Sequence, residues 1–435
     1  MLKEKVSAVV ENLHNAAPNL LVALSGGADS VALLLCLHEL GYNVCAAHCN
    51  FQLRGEESER DEAFCRNLCK RLGIMLHVCR FDTRQVAHGR NISIEMAARD
   101  LRYEWFERLR KEMGCDFIAL AHHRDDNIET LLQHIVRGSG IHGLTGMPQR
   151  RNHIVRPLLN VSRHEILEYL KEKEQVYVTD STNADTIYQR NLVRHELLPL
   201  LERMNPNIRQ TLCDMMQRMR ETEWLFDDSV NHWSRKLGIT QASDSMVIPL
   251  NELRPLFSAQ TLLHEWLFPA GFKEKDTEAM LNAKVGALFY SNTHVATVTG
   301  DTLVCEKIPV RVDETLLQTD TENTLADNTV VTVTFTDEVR VERGNPKCVT
   351  IDIDTLEPPL TCRTVREGDR FQPYGMKGTK LVSDYLTERH INRIEKMKTK
   401  VVCDKRGIVW LAGHRIDQRV AVTEKTQQIY VLKLH

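Results

Sequence analysis

The chain has 435 residues, 42% of them apolar and 26% charged, and a formal net charge of −3. This length accommodates two or three domains with cores of their own. No apolar run approaches the ~18 residues of a membrane-spanning helix, and residues 1–17 read as a polar-faced helix without the apolar centre of a signal peptide. A cytoplasmic protein with no membrane partner is expected. Twelve cysteines are scattered with no CxxC among them, so buried reduced thiols fit better than a zinc site or a redox dithiol. Charge is uneven: residues 311–360 hold four Lys and Arg against eleven Asp and Glu, residues 361–435 sixteen against eight. The basic tail is a candidate for a polyanionic partner.

Leu21 to Leu24 predicts a buried strand, and the apolar run from Val31 to Leu37 predicts a helix. Between them lies Ser25-Gly26-Gly27-Ala28-Asp29-Ser30. A strand, a glycine turn and a helix aim several backbone N–H groups at one point, where the helix dipole adds positive potential. Ser25 and Ser30 add hydroxyl donors, and Asp29 adds a carboxylate where magnesium would sit beside phosphates. The spacing is neither that of a Walker A loop nor that of the GxGxxG turn.

Further strands are predicted over 43–48, 75–79 and 116–121, and helices over 58–72, 94–111 and 126–137. Residues 153–156 and 176–178 read as short strands around a helix over 163–174. This alternation predicts an α/β fold with a doubly wound, mostly parallel sheet, which binds ligands at the carboxyl ends of its strands. His48, His122 and His123 are expected at such ends. Residues 191–237 read as helix-rich and 239–305 as short helices and strands, with helices over 250–267 and 273–281. Residues 318–329 read as linker or loop, 330–353 as alternating β, and 361–435 as a small α+β module. The expected domains are 1–215 catalytic, 216–317 helix-rich, 318–360 linker and acidic β segment, and 361–435 basic.

A second motif, His122-His123-Arg124-Asp125-Asp126-Asn127-Ile128-Glu129-Thr130, follows a strand and opens a helix. Asp126 and Glu129, three apart, share a helical face; one can help hold magnesium while another takes a proton from, or orients, an incoming amine. A zinc site from His122, His123 and Asp125 is the rival, but adjacent histidines diverge and the spacing of metallohydrolases is absent. In a third motif, Glu95 to Tyr103, Arg99 and Arg102 share a helical face and would neutralise charge on a transferring phosphoryl group. Surface pairing with Glu95 or Asp100 is the alternative. Loops at Arg137-Gly138-Ser139-Gly140, Gly143 to Met147, Arg156 to Leu159, Asp180-Ser181-Thr182-Asn183 and Arg190 to His195 suit a polyphosphate or nucleic-acid partner.

Taken in order, these motifs resemble the tRNA(Ile)-lysidine synthase family, a bacterial branch of the pyrophosphate-loop ATP pyrophosphatase superfamily. Gly368 to Phe371, Gly375 to Gly378, Lys380 to Leu386 and Val409 to Gly413 resemble that family's C-terminal domain. The resemblance implies an adenine nucleotide α-hydrolase-like fold and a ligase using ATP and Mg2+. It implies adenylation of C2 of the wobble cytidine in a CAU-anticodon tRNA(Ile), then attack by the ε-amine of free L-lysine to give lysidine. Ser25, Gly26, Gly27, Ala28, Asp29, Ser30, His48 and His122 would bind ATP, with Asp29 on the metal. Asp125, Asp126 and Glu129 would bind lysine, and Arg99 or Arg102 would steady the adenylate. Arg137, Arg190, Arg194, Arg370, Lys377 and Lys380 would meet tRNA.

Two departures stand out. Asn127 occupies a position where glutamine is expected, and Leu381-Val382 follows Lys380 where a second lysine is common. A tRNA thiolase on the same fold and a non-catalytic ATP- or tRNA-binding module are the alternatives. The missing CxxC weighs against the first, and the intact Asp29 and Glu129 against the second. A homodimer is compatible with the sequence.

Overall fold

A computed structural model describes residues 2–13, 18–179, 189–242, 245–341 and 344–435, in two compact units, Met1–Phe226 and Asp227–His435. The Asp180 to Asn183 motif lies outside the described residues.

The first unit runs α1 (Leu2–Glu11), β1 (Leu20–Ala23), α2 (Ala28–Glu39), β2 (Val44–Asn50), α3 (Glu56–Leu72), β3 (Leu76–Arg80), α4 (Thr83–Arg90), α5 (Ile94–Glu112), β4 (Phe117–Ala119), α6 (Arg124–Arg137) and α7 (Ile141–Leu144). It continues through β5 (Arg150–Arg151), β6 (Ile154–Val155), α8 (Arg163–Glu172), α9 (Gln189–Leu192), a π-helical turn over Val193–Leu197 and α10 (Leu198–Met204). Helix α11 (Ile208–Lys236) then runs on into the second unit.

Six strands form one sheet in the order β3-β2-β1-β4-β6-β5, parallel except for the β5–β6 pair. The expected doubly wound sheet is therefore present. Apolar strands with no exposed face need helices on both sides. One face carries Val22, Val31, Leu34 and Tyr169, and the other carries Leu21, Trp105, Phe106 and Ile118. The chain leaves β1 toward β2 on one side and returns to β4 on the other. The crevice between the carboxyl ends of β1 and β4 is thus the topological switch point where such sheets bind ligands.

Local differences from the sequence reading have local causes. Residues 176–178 join no ladder; the Val178 N–H donates instead to the Gly26 carbonyl at 2.9 Å. The predicted helix over 250–267 is two helices separated around Pro255, whose ring removes an N–H donor. Helix α4, which the pattern did not announce, starts where the Asp82 carboxylate accepts from the Gln85 N–H. His48 lies inside β2 rather than at its end.

The second unit begins with a five-stranded antiparallel sheet made of β7 (Thr240–Ala242), β8 (Ser245–Pro249), β9 (Leu288–Tyr290), β10 (His294–Thr299) and β11 (Thr302–Lys307). It packs with α12 (Leu250–Leu253), α13 (Ala259–Leu267) and α14 (Glu274–Leu281). The remainder runs β12 (Thr315–Leu316), β13 (Thr321–Thr324), β14 (Val330–Thr336), β15 (Cys348–Asp352), β16 (Thr361–Thr364), β17 (Arg370–Phe371) and β18 (Lys380–Leu381). It ends with α15 (Val382–Glu388), α16 (Arg393–Lys398), β19 (Lys400–Asp404), β20 (Gly407–Leu411), β21 (Arg415–Ile416) and β22 (Ile429–Leu434).

Two sheets, β12-β16-β19-β20-β21 and β13-β14-β22-β15, share a core that includes Val331, Ile351, Cys362, Val402, Trp410 and Leu432. The polar stretch 318–329 supplies β13, which pairs with β14 through its backbone while its side chains stay largely exposed. A strand at a sheet edge needs ladder partners, not an apolar face. Among the described residues no helix is long and apolar enough to cross a membrane.

Candidate active site

The turn after β1 has the geometry of an anion cradle. Gly26 has φ +91°, and a Cβ there would sit 3.4 Å from both Cys65 Sγ and Phe64 Cδ1. Gly27 caps α2 without a side-chain bond to the first turn, so those N–H groups remain available. Ser30 Oγ donates to the Gly27 carbonyl at 3.0 Å and accepts from the Ser25 N–H at 3.2 Å, which fixes the turn. Ala28 is buried at the start of α2.

A cavity of about 250 Å³ opens beside the turn, lined among others by Ser25, Asp29, Ser30, Phe51, Arg102 and His122. Strand alternation decides which β2 side chains face it. Ala47 and Cys49 line the cavity, whereas His48 between them does not. His48 is buried, with Nδ1 2.9 Å from the Leu24 carbonyl and 3.4 Å from Cys65 Sγ, so it braces the strand beneath the loop. Burial lowers its pKa. The two helix-borne arginines separate likewise. Arg102 lies over the Phe51 ring at 5.2 Å on the cavity wall, while Arg99 lies over the Tyr103 ring at 5.1 Å outside the lining.

Across the crevice, β4 ends and α6 begins. His123 caps α6: its Nδ1 accepts from the Asp125 N–H, and its own N–H donates to Asp126 Oδ2. With Nδ1 accepting, the neutral ring carries its proton on Nε2, which lies 3.5 Å from Asp126 and 3.7 Å from Asp29. His122 is pushed down to about 4, chiefly by burial, with Arg156 and Arg190 adding to the shift. Its buried Nδ1 has no hydrogen-bond partner among the described residues. A neutral ring with an open nitrogen in the cavity wall fits a polar group of a bound nucleotide.

Each carboxylate of the crevice closes on arginine. Asp29 takes Arg163 Nη1 at 2.6 Å on both oxygens. Asp125 accepts the Arg163 N–H at 2.9 Å and pairs with Arg209, which also binds Glu202. Burial alone would raise the pKa of Asp125, but these partners outweigh it and hold it below the ordinary carboxylate range. Glu129, 1% exposed, is held by Arg190 Nε at 2.7 Å and Arg194 Nε at 2.6 Å. Arg190 also reaches Asp126 at 2.5 Å, so the two carboxylates expected on one helical face do share partners.

The helix is set in place from behind. Asn127 Oδ1 accepts the Met147 N–H at 2.6 Å, drawing the Gly143 to Met147 loop onto α6. Gly146 has φ +69°, and a Cβ there would lie 2.5 Å from Asn127 Oδ1 and Met216 Sδ. The shorter amide at 127 thus holds a backbone contact to a glycine-bearing loop. Arg156 is buried and donates to the Pro148 carbonyl, and Gly138, with φ +76°, ends α6 just after exposed Arg137. In the second unit Arg370 and Lys377 are exposed, Lys380 pairs with Glu388 at 2.8 Å, and Val382 is fully buried in the core beside Tyr385 and Leu386.

Family models bear on this geometry along nearly the whole chain. The PP-loop domain matches residues 1–201, the TilS substrate binding domain 241–308 and the TilS substrate C-terminal domain 360–433. The chain is 39% identical to the tRNA(Ile)-lysidine synthase of Bacteroides thetaiotaomicron, with both chains fully covered. The chain belongs to the tRNA(Ile)-lysidine synthase family. A second relative of the same name, from Parabacteroides distasonis, is 40% identical over 95% of this chain and 94% of its own. A distant likeness to the U34-tRNA thiolase NcsA of Methanococcus maripaludis has 19% identity and a TM-score of 0.43, over 51% of this chain and 78% of that one.

Within this lysidine synthase crevice, Arg163 and Arg209 were absent from the sequence reading. The signal at Arg163 is weak: Ser162 and Glu165 form a capping box around it, which announces a helix start and nothing about Asp29. Among the described residues no group of three or more His, Cys, Asp or Glu side chains is placed to hold a metal ion together. A single carboxylate beside a phosphate cradle nonetheless fits Mg2+, which commonly takes one or two carboxylates plus substrate phosphates.

Proposed function

We propose that the chain joins the ε-amine of free L-lysine to C2 of the wobble cytidine in a CAU-anticodon tRNA(Ile), at the expense of ATP, giving lysidine, AMP and pyrophosphate. The observation carrying this reading is the pairing of an uncapped glycine turn with the buried Asp126 and Glu129 across one switch-point crevice. The C2 oxygen attacks the α-phosphorus and pyrophosphate leaves, which turns a poor leaving group into AMP. The amine then attacks C2 and expels AMP.

The first-turn N–H groups of α2 and the hydroxyls of Ser25 and Ser30 bind the departing pyrophosphate. Asp29 would hold Mg2+, which supplies positive charge beside the phosphates when bound. Arg102, on the cavity wall, steadies charge on the adenylate, with Arg99 behind it through Tyr103. His122 offers its open Nδ1 to the nucleotide, and His48 supports the loop from below.

Asp125, Asp126 and Glu129 receive the lysine ammonium, and Glu129 takes its proton before attack. Arg190 and Arg194 already satisfy Asp126 and Glu129, and Arg209 satisfies Asp125, so an arriving ammonium replaces one cation by another and leaves no buried carboxylate bare. Arg137, Arg370, Lys377 and Lys380 meet tRNA phosphates, in the order of domains 1–215, 216–317, 318–360 and 361–435 expected from the sequence.

The test supplies ATP, Mg2+, labelled lysine and a CAU-anticodon tRNA(Ile) transcript. Lysine in the RNA with matching AMP release is expected; ATP consumption without label in the RNA would overturn the reading.

A further inference from the structure

A second cavity, of about 640 Å³, opens in the second unit where β15, β21 and the end of α15 meet. Arg389, His414 and Arg415 line it together with Asn345, Thr350 and Tyr374. No Asp or Glu is among the described residues of its lining. Arg389 stacks over the Tyr385 ring at 4.6 Å, and Arg415 donates to the Tyr374 carbonyl at 3.1 Å. Among the described residues neither arginine has a carboxylate partner. By contrast, Arg163, Arg194, Arg363 and Arg419 each bind a carboxylate. Burial and the neighbouring Arg389 lower the pKa of His414.

Two unpaired guanidinium groups without a nearby carboxylate attract an anion, and their planar forks suit phosphate. Tyr374, 47% exposed, adds an aromatic face, and Asn345 and Thr350 add polar edges. Phosphate, flat ring and polar edge together describe one nucleotide. We propose that this cavity takes an unpaired nucleotide of the tRNA, with Arg389 and Arg415 on its phosphate and Tyr374 against its base. The inference rests on the reading that tRNA is the substrate. Paired RNA hides its bases within the helix, so only a single-stranded stretch can enter a cavity. The wobble loop is committed to the crevice, and the D, variable and T loops of a folded tRNA are tied up in tertiary contacts, which leaves the freely unpaired 3′ end as the source.

The experiment measures equilibrium binding of the full chain to intact tRNA(Ile) and to the same RNA without its last three nucleotides, at one salt concentration. Truncation is expected to weaken binding by the native protein on the order of tenfold, the scale of one stacked base with its phosphate. The Arg389→Gln, Arg415→Gln double variant is expected to bind both RNAs alike, at the affinity of native protein for the truncated one. Tyr374→Ala, at an exposed position, is expected to lose part of the discrimination and decides the matter if the double variant does not fold. Equal binding of both RNAs by native protein overturns the proposal. So does an equal loss on both RNAs in the variants, which would mark a general phosphate contact. Lysine incorporation by native protein at saturating tRNA is scored separately. Its absence with both RNAs defeats the proposed reaction and leaves the binding contrast to report on the cavity.

Discussion

The crevice of the first unit and the cavity of the second handle charge in opposite ways. In the crevice, four carboxylates (Asp29, Asp125, Asp126 and Glu129) are each closed by arginine, and the guanidinium groups of Arg190 and Arg194 each reach both Asp126 and Glu129. In the cavity, two arginines and a histidine face open volume with no acid among the described residues of the lining. A compensated site is ready to exchange one cation for another, because its carboxylates never lose a partner during the swap. An uncompensated cationic site is ready to take an anion from water. The proposed roles follow that difference, with amine and metal chemistry assigned to the crevice and the holding of RNA to the cavity.

The sharpest way to break this contrast is at Glu129. Glu129→Gln removes the negative charge and leaves Arg190 and Arg194, both partly solvated, without their buried partner. The variant is expected to fold and to lose lysine incorporation by roughly 10²–10⁴-fold, the worth of a general base. Full incorporation, with folding checked by circular dichroism, would show that the carboxylate handles no amine.

Behind the same helix, Gly146→Ala tests whether the compensated site is rigidly placed. A Cβ 2.5 Å from Asn127 Oδ1 and Met216 Sδ, on a backbone with φ +69°, is expected to cost about 2–4 kcal/mol in unfolding free energy. Unchanged denaturation would mean that the loop is free to move away from α6.

A smaller effect sharpens the idea of cation exchange. Arg163→Gln removes the partner that occupies both oxygens of Asp29. The Mg2+ concentration for half-maximal AMP release is then expected to fall roughly two- to fivefold, the scale of a half-exposed ion pair. A rise would mean that Arg163 helps the metal instead of competing with it.

The smallest effect lies outside both sites and serves as their control. Burial raises the pKa of Glu165, but Lys5 Nζ at 2.7 Å and bonds from Ser162 outweigh it and hold the group at about 2, below its ordinary 4.5. A depressed folded value contributes stability that is complete above pH 4.5 and is lost as pH falls toward 2. Glu165→Gln is expected to flatten that part of the acid-unfolding curve while leaving lysine incorporation and tRNA binding as they were. An unaltered acid limb would remove the Lys5 pair from the stability of α1.

Much of the crevice was legible because its parts are local. The Ser25 to Ser30 turn is six consecutive residues between two apolar runs, and Asp126 and Glu129 are one helical turn apart. Their partners were not legible. Arg163 meets Asp29 across 134 residues, and Arg194 meets Glu129 across 65, with no periodicity that links them. Arg190 and Arg194 carried only a basic signal along the chain, and their pairing with Asp126 and Glu129 is visible only as distances in space. His48 shows the limit of a strand reading. Its place in β2 is visible from the pattern, but a shift of one residue decides whether a side chain faces ligand or core.

The sequence by itself determined the α/β alternation, the anion turn after β1, the carboxylate pair on α6 and the basic balance of the last 75 residues (361–435). These follow from backbone periodicity and from groups adjacent along the chain. Only the tertiary structure decided that Arg102 and not Arg99 lines the cavity, that Asn127 locks a glycine loop behind α6, and that Arg389 and Arg415 have no carboxylate partner among the described residues. Pairing of charges is a matter of distance in space, and a chain's composition is silent about which of its arginines are already taken.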